Sequence, residues 1–412
     1  MNKRWFILLG VCLFFTLGNL YLHTAPFSNT MINYTDQNHP NTENSCLTDG
    51  FTPWAVNYHN TLPDFKKRPF TSLLVGIVSN TFSLRVSVAF VWVNYFFLFF
   101  SGFLVYYLSL LYLNTSWKAL VSVCFYYTSF SVLLAYFIPI ATYDEPIQYF
   151  LILASLLALK KEQLMVFALL FSLAVIAREN SLLMLPGILF FLTGFHLKTL
   201  WIDKLTSIKY LLACSFPVVV YAVYLSWFFA ANPEAIHQTT DTLSRKFSIY
   251  QQNFQDAEHI SRTLLSFVSV TLLPLFLILY HRFKVSRTRF HQKMFSAFWL
   301  TFFINTPIIF LTVFAEESRV FYLPFLFLVP VAGKLITDVI SFSPEFLKYL
   351  LSYKRLLLIV VIVTFSWWFF QYLYTFTHLP MNENLYREYH VGGCIFIGLI
   401  LMYQNYLKKK GA

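Results

Sequence analysis

Charge is scarce in this chain, and so is glycine. Only 12% of its 412 residues are Asp, Glu, Lys or Arg, about half the usual share for a soluble domain, and 12 residues are Gly. So little charge leaves no room for a sizeable soluble domain. So little glycine weighs against an architecture of Gly-interrupted or Gly-packed helices. The five cysteines, at positions 12, 46, 124, 214 and 394, include no pair at metal-ligand spacing. Only Cys46 falls in an aqueous loop, which weighs against a disulfide framework and a zinc site. No P-loop, Gly-rich nucleotide loop or Ser-His-Asp pattern is visible, and no internal repeat or low-complexity tract stands out.

What fills the chain is apolar. Hydrophobic residues make up 58% and aromatic residues 20%, with 48 Phe, and mean hydropathy is +0.60. Runs long enough to cross a bilayer need about 20 such residues each. The sequence therefore predicts one all-α, polytopic membrane domain over 1–412 with about twelve transmembrane helices. The expected spans are 5–22, 86–113, 118–140, 146–160, 163–177, 181–195, 209–230, 262–280, 294–314, 320–337, 355–375 and 391–407. The first run could be a cleaved signal, but a cut near Ala25 would put His23 where a small residue belongs, so an uncleaved span is expected.

The net charge of +11 raises nucleic acid or an anionic membrane surface as partners. The charges sit in short segments between apolar runs, so the membrane reading is expected and no nucleic-acid partner is. Threading from a cytoplasmic N-terminus puts 20 of the 30 basic residues inside with only four acids, Glu162, Asp203, Asp338 and Glu345. The opposite threading would reverse this asymmetry, so both termini are expected in the cytoplasm. A long outside loop then covers 23–85, with an amphipathic interfacial helix at about 70–82. A second outside loop covers 231–261. Trp367 and Trp368 read as lipid-facing or interfacial residues.

Ionisable groups at membrane depth are costly and often mark function. Three short outer turns carry them: Tyr143-Asp144-Glu145-Pro146, Arg178-Glu179-Asn180 and Glu316-Glu317-Ser318-Arg319. The turns are too short to let these side chains wander, so they are expected to share one polar cavity under the first outside loop. The plainer reading is that Asp144 and Glu145 cap the next helix and complement its dipole. His39, His59, His237 and His390 lack ligand spacing, so no metal site is expected from them.

Four stretches carry a resemblance: Lys67-Arg-Pro-Phe-Thr-Ser-Leu-Leu, Tyr143-Asp-Glu-Pro-Ile-Gln-Tyr, Ala177-Arg-Glu-Asn-Ser-Leu-Leu-Met-Leu-Pro-Gly and Glu316-Glu-Ser-Arg-Val-Phe-Tyr-Leu-Pro. With the layout of one span, a long outside loop and many short-looped spans, the chain resembles the GT-C superfamily of polyprenyl-phosphate-dependent glycosyltransferases, in a bacterial branch. The resemblance implies an inner-membrane enzyme with its active face outside. It implies a polyprenyl-phosphate-linked sugar as donor and a glycan, lipid or protein acceptor. It also implies an acid in the first outside loop as general base, for which Asp49 and Asp36 are the candidates. The paired acids of characterised members are absent from that loop. Arg178, Arg319 and Arg68 would hold the donor phosphate. Asp144, Glu145, Glu179, Glu316 and Glu317 would orient them or bind sugar hydroxyls. Some relatives use a divalent cation, yet no dedicated ligand set is found. The rival expectations are a twelve-span transporter, a surface-polysaccharide polymerase or ligase, and a non-catalytic relative.

Overall fold

The computed structural model describes residues 3–24, 51–134, 143–194, 204–236, 248–284, 289–315, 318–377 and 383–411. Among the described residues every regular element is helical and there is no strand. Seven helices are long and apolar enough to cross a membrane: Arg4–Leu22, Val86–Leu113, Thr206–Ala231, Ala257–Phe283, Gln292–Thr312, Tyr353–Leu373 and Arg387–Gly411. They coincide with seven of the twelve expected spans. The all-α, membrane-spanning character of the chain thus rests on both sequence and structure.

The other five expected spans take a different form. Ser116–Thr128 has 13 residues, about 20 Å of helix. It stops at Ser129, whose backbone is extended and whose hydroxyl donates to the Tyr126 carbonyl at 2.6 Å. Glu145–Lys160 and Leu164–Ala177 have 16 and 14 residues and form a pair joined by a turn with Glu162 at φ 58°. The expected span 181–195 opens as the 3₁₀ helix Glu179–Met184 and continues as Leu185–Thr193. Gly194 ends it at φ +66°, a conformation glycine adopts without strain. The expected span 320–337 is three pieces, Ser318–Phe321, Leu323–Phe327 and Val329–Val339. Pro324 and Pro330 stand near the starts of the last two, where a missing N–H does least harm.

The run 319–339 and Glu145–Lys160 lie inside the protein, while Leu164–Ala177 exposes Met165, Val166, Leu169 and Leu173. Phe321, Tyr322, Leu323, Phe325 and Phe327 are all buried to 2% or less. Glu145–Lys160 packs against Val86–Leu113 on one side and Leu164–Ala177 on the other. Backbone with broken helical bonding is tolerated at membrane depth only where protein encloses it. Tyr353–Thr377 does the reverse and exposes Leu357, Val360, Phe365 and Trp368. Trp367 is exposed as well, in keeping with a lipid-facing reading of that helix.

A helix stands over Phe70–Phe82, where the interfacial helix is expected. It turns Thr71 and Val75 inward and exposes Leu73, Ile77 and Phe82. Ser83 in the left-handed conformation closes it. Scarce as glycine is, Gly102, Gly187 and Gly333 each stand where an added Cβ would clash, and Gly333 is the tightest. Val329–Val339 crosses Ser116–Thr128 at Gly333, where an added Cβ would stand 1.8 Å from the Lys118 carbonyl oxygen. The Gly333 N–H donates to Ser122 Oγ at 2.8 Å across that crossing.

Candidate functional site

Four separate chain segments bring their charges to one place. After the helical turn Pro63–Lys66, Arg68 precedes Pro69, the N-cap of Phe70–Phe82. Asp144 and Glu145 stand at the start of Glu145–Lys160, with Pro146 in its first turn. Arg178 ends Leu164–Ala177 in extended backbone, and Glu179 opens the 3₁₀ helix behind it. Arg319 sits in the 3₁₀ turn Ser318–Phe321.

Two charge clusters result, linked through adjacent residues. Arg68 grips Glu179 with Nε donating to Oε2 at 2.8 Å and Nη2 donating to Oε1 at 2.6 Å. Lys67 Nζ lies 3.5 Å from the same Oε1. Next to them, Arg178 and Arg319 converge on one oxygen of Glu145. Arg178 pairs through Nη1, and Arg319 donates Nε to Oε1 at 2.6 Å. Glu145 is 1% exposed, and its other oxygen, Oε2, is buried without a hydrogen bond among the described residues. A buried carboxylate is tolerable only with such pairing.

Neutral groups fix the frame. Asp144 does not use its side chain to cap the helix it precedes. Its Oδ1 accepts instead from Thr71 Oγ1 at 2.8 Å, which ties Phe70–Phe82 to the start of Glu145–Lys160. The capping expectation for Asp144 is thereby corrected: a long-range bond takes the carboxylate that the helix end would otherwise use. The Tyr143 and Ser72 hydroxyls lie 2.9 Å apart, and the Tyr143 ring stacks on His59 with centroids 3.7 Å apart. Gln148 Nε2 donates to Asn180 Oδ1 at 2.6 Å and to Ser181 Oγ at 2.8 Å, which positions the turn carrying Arg178. The Tyr224 hydroxyl donates to the Lys67 carbonyl at 3.0 Å.

The cluster shifts the proton affinities of its members, all of which lie outside the seven long apolar helices. Burial pushes the Asp144 carboxyl up to about 6, against the pull of Arg68, the Thr71 bond and Arg178. Burial lowers the Arg178 guanidinium to about 9, and the like charges of Arg68 and Arg319 add to it. For Glu179 burial acts upward but is overcome by Arg68 and Lys67, which hold its carboxyl well below the usual range. These are the marks of a site where charge, burial and hydrogen bonding compete.

The structure therefore brings together Arg68, Asp144, Glu145, Arg178, Glu179 and Arg319, all named from sequence. Asp36, Asp49, Glu316 and Glu317 lie outside the described residues. Sequence reasoning gave no role to Thr71, Tyr143, Gln148, Asn180 or Lys67, although each falls in one of the stretches quoted above. Their signal was adjacency to the charged turns. Among the described residues no group of three or more His, Cys, Asp and Glu side chains is placed to hold a metal ion. Two cavities of about 220 and 200 Å³ are lined by none of these charged residues. No protein-family model, curated protein or solved structure matches the chain.

Proposed function

We propose that this chain is a membrane glycosyltransferase that moves a sugar from a polyprenyl-phosphate donor to an acceptor on the non-cytoplasmic face. The observation that carries the reading is the convergence of Arg178 and Arg319 on a single buried oxygen of Glu145. Two guanidiniums aimed at one oxyanion form the arrangement that a phosphate leaving group requires, because its negative charge grows as the glycosidic bond breaks. Arg68, beside them in the cluster, supplies a third guanidinium.

In the proposed reaction the acceptor hydroxyl attacks the anomeric carbon and its proton passes to a carboxylate, which we assign to Asp49 with Asp36 as the alternative. The bond from that carbon to the phosphate oxygen breaks, and the electron pair leaves with the polyprenyl phosphate. Arg178 and Arg319 exchange Glu145 for that phosphate as partner. Glu179, held ionised by Arg68, keeps the third guanidinium oriented. Glu316 and Glu317 complete the set as sugar-binding acids. The acceptor is a glycan, lipid or protein.

We further propose a bacterial inner-membrane location, twelve passes and cytoplasmic termini. Supporting this, the broken run 319–339 is enclosed by protein, as a broken pass must be. Among the described residues, Asp, Glu, Lys and Arg on the seven long helices fall within their first six or last four residues. A transporter places such groups near mid-membrane.

The test is native mass spectrometry of the purified protein offered polyprenyl phosphate, beside Arg178→Ala and Arg319→Ala. Saturable binding to the wild type, lost in both variants, is the expected result. Equal binding in all three removes the phosphate clamp and moves transport to the front. Offering a monosaccharide-charged carrier beside a glycan-charged one separates a transferase from a polymerase or ligase.

A further inference from the structure

The second long helix pair of the chain carries a crevice that the cluster above does not explain. Ala257–Lys284 and Arg289–Thr312 are consecutive in sequence. Near their shared end a cavity of about 220 Å³ separates them, lined by Ile278, Leu279, His281, Arg282, Gln292, Phe295, Ser296 and Trp299. Arg319 follows the far end of Arg289–Thr312, a helix of 24 residues or about 36 Å, so the crevice lies at the opposite end from Glu145 and its arginines.

Its lining is divided by chemistry. Ile278, Leu279, Phe295 and Trp299 supply apolar and aromatic surface. Arg282, Gln292 and Ser296 supply a guanidinium, an amide and a hydroxyl. Among the described residues no acid lines the cavity. Over residues 282–293 the chain carries Arg282, Lys284, Arg287, Arg289 and Lys293 and no Asp or Glu. The carboxylate that meets His281 is already committed: Asp338 pairs with Lys334 at 2.9 Å and Lys118 at 3.6 Å, and lies 3.2 Å from His281 Nε2. That pairing leaves the local balance positive and holds the buried His281 ring in the cavity wall. It also joins three helices at that wall.

We propose that this crevice binds the phosphate headgroup of an anionic phospholipid, with Arg282 as the charged contact, Gln292 and Ser296 as hydrogen-bonding groups, and Trp299 and Leu279 against the first carbons of the acyl chains. Charge selects an anion, and the apolar half of the lining selects one that continues as hydrocarbon. The volume is below that of pockets that enclose a drug-sized ligand, which suits a headgroup with its tails left in the bilayer. Both flanking helices expose apolar side chains, Leu279, Phe283 and Phe303 among them, so the crevice opens beside apolar surface suited to lipid tails. The site is independent of the transferase reading.

The experiment is native mass spectrometry of the full chain in detergent with phosphatidylglycerol or phosphatidylcholine of matched tails. Wild type, Arg282→Gln and Ser296→Ala are compared, with Arg178→Ala as the control for the distant cluster. The expected result is one saturable phosphatidylglycerol, held at least tenfold more weakly by Arg282→Gln and unchanged in Arg178→Ala, with phosphatidylcholine not retained. Arg282 is exposed, so its variant should keep the wild-type melting temperature. Equal retention of the two lipids, or full retention by Arg282→Gln, overturns the proposal. Inorganic phosphate that binds the wild type and loses affinity in Arg282→Gln, while neither lipid binds, overturns the lipid source and leaves a soluble phosphate site.

Discussion

Arg68 and Glu179 stand 111 residues apart in the chain and meet in a two-bonded fork, with Nε on Oε2 at 2.8 Å and Nη2 on Oε1 at 2.6 Å. The fork joins the segment just before Phe70–Phe82 to the turn behind Leu164–Ala177. Both partners are only partly exposed, at 16% and 26% of their side chains. Removing one partner of such a pair strands the other charge.

Arg68→Ala and Glu179→Ala should therefore each destabilise the fold by about 3 kcal/mol, while the double variant should lose far less than the two together. Thermal melts of the four proteins of the cycle in one detergent measure this. Strict additivity would show that the two residues do not act as a pair.

Asp144 makes a prediction in pH. Its carboxyl has an ordinary value of 3.8 and stands at about 6 in the folded chain. Below about 4 it is protonated in folded and unfolded chains alike. Between about 4 and 6 the unfolded chain gives up the proton first, so stability from this group falls as pH rises, by roughly 2–3 kcal/mol in all. Asp144→Asn should remove that slope. The observable is the difference in melting temperature between wild type and variant from pH 4 to 7; a constant difference would show that Asp144 titrates normally.

Gly333 admits no side chain, because a Cβ would meet backbone oxygen rather than a movable side chain. Gly333→Ala should force Val329–Val339 away from Ser116–Thr128 and cost several kcal/mol, on the order of other overpacking changes or more. Gly76→Ala, with open space around it, should be neutral or gain up to about 1 kcal/mol from helix propensity. Comparable yields and melting temperatures for the two variants would contradict the close crossing.

Asn253 fastens the end of the Arg289–Thr312 helix. Its Nδ2 donates to the carbonyls of Phe310 at 3.0 Å and Val313 at 2.8 Å, and its Oδ1 accepts from the Ala315 N–H at 3.0 Å. Asn253→Ala leaves those buried groups unpaired and should cost about 1–3 kcal/mol, with Asn253→Asp intermediate because the accepting half survives. Gln252→Ala, at an exposed neighbour, is the control. Hydrogen exchange at residues 310–315 should rise in Asn253→Ala alone.

Much of the site was legible because the chain is so apolar. Against that background Asp144, Glu145, Arg178, Glu179 and Arg319 are conspicuous, and short turns restrict where they can go. Their partners were not legible. Nothing in the local pattern says that Thr71 takes Asp144 away from its own helix, or that Asn253 reaches across to Phe310. Both bonds join residues dozens of positions apart, and polar side chains in such a chain have no periodicity to betray them.

Composition and charge order were enough to determine an all-α membrane protein. They also determined its seven long apolar helices and the amphipathic helix at 70–82, because burial in lipid demands continuous apolar length and leaves charge only at the ends. The tertiary structure alone decided that the remaining apolar runs, where described, form short or broken helices, most of them enclosed by protein and one, Leu164–Ala177, exposing Met165, Val166, Leu169 and Leu173. Apolar sequence reads alike whether its neighbour is lipid or another helix, and only packing tells the two apart. The same packing decided that Arg178 and Arg319 share one carboxylate, since convergence of separate helix ends is a property of how helices are placed and not of any one segment.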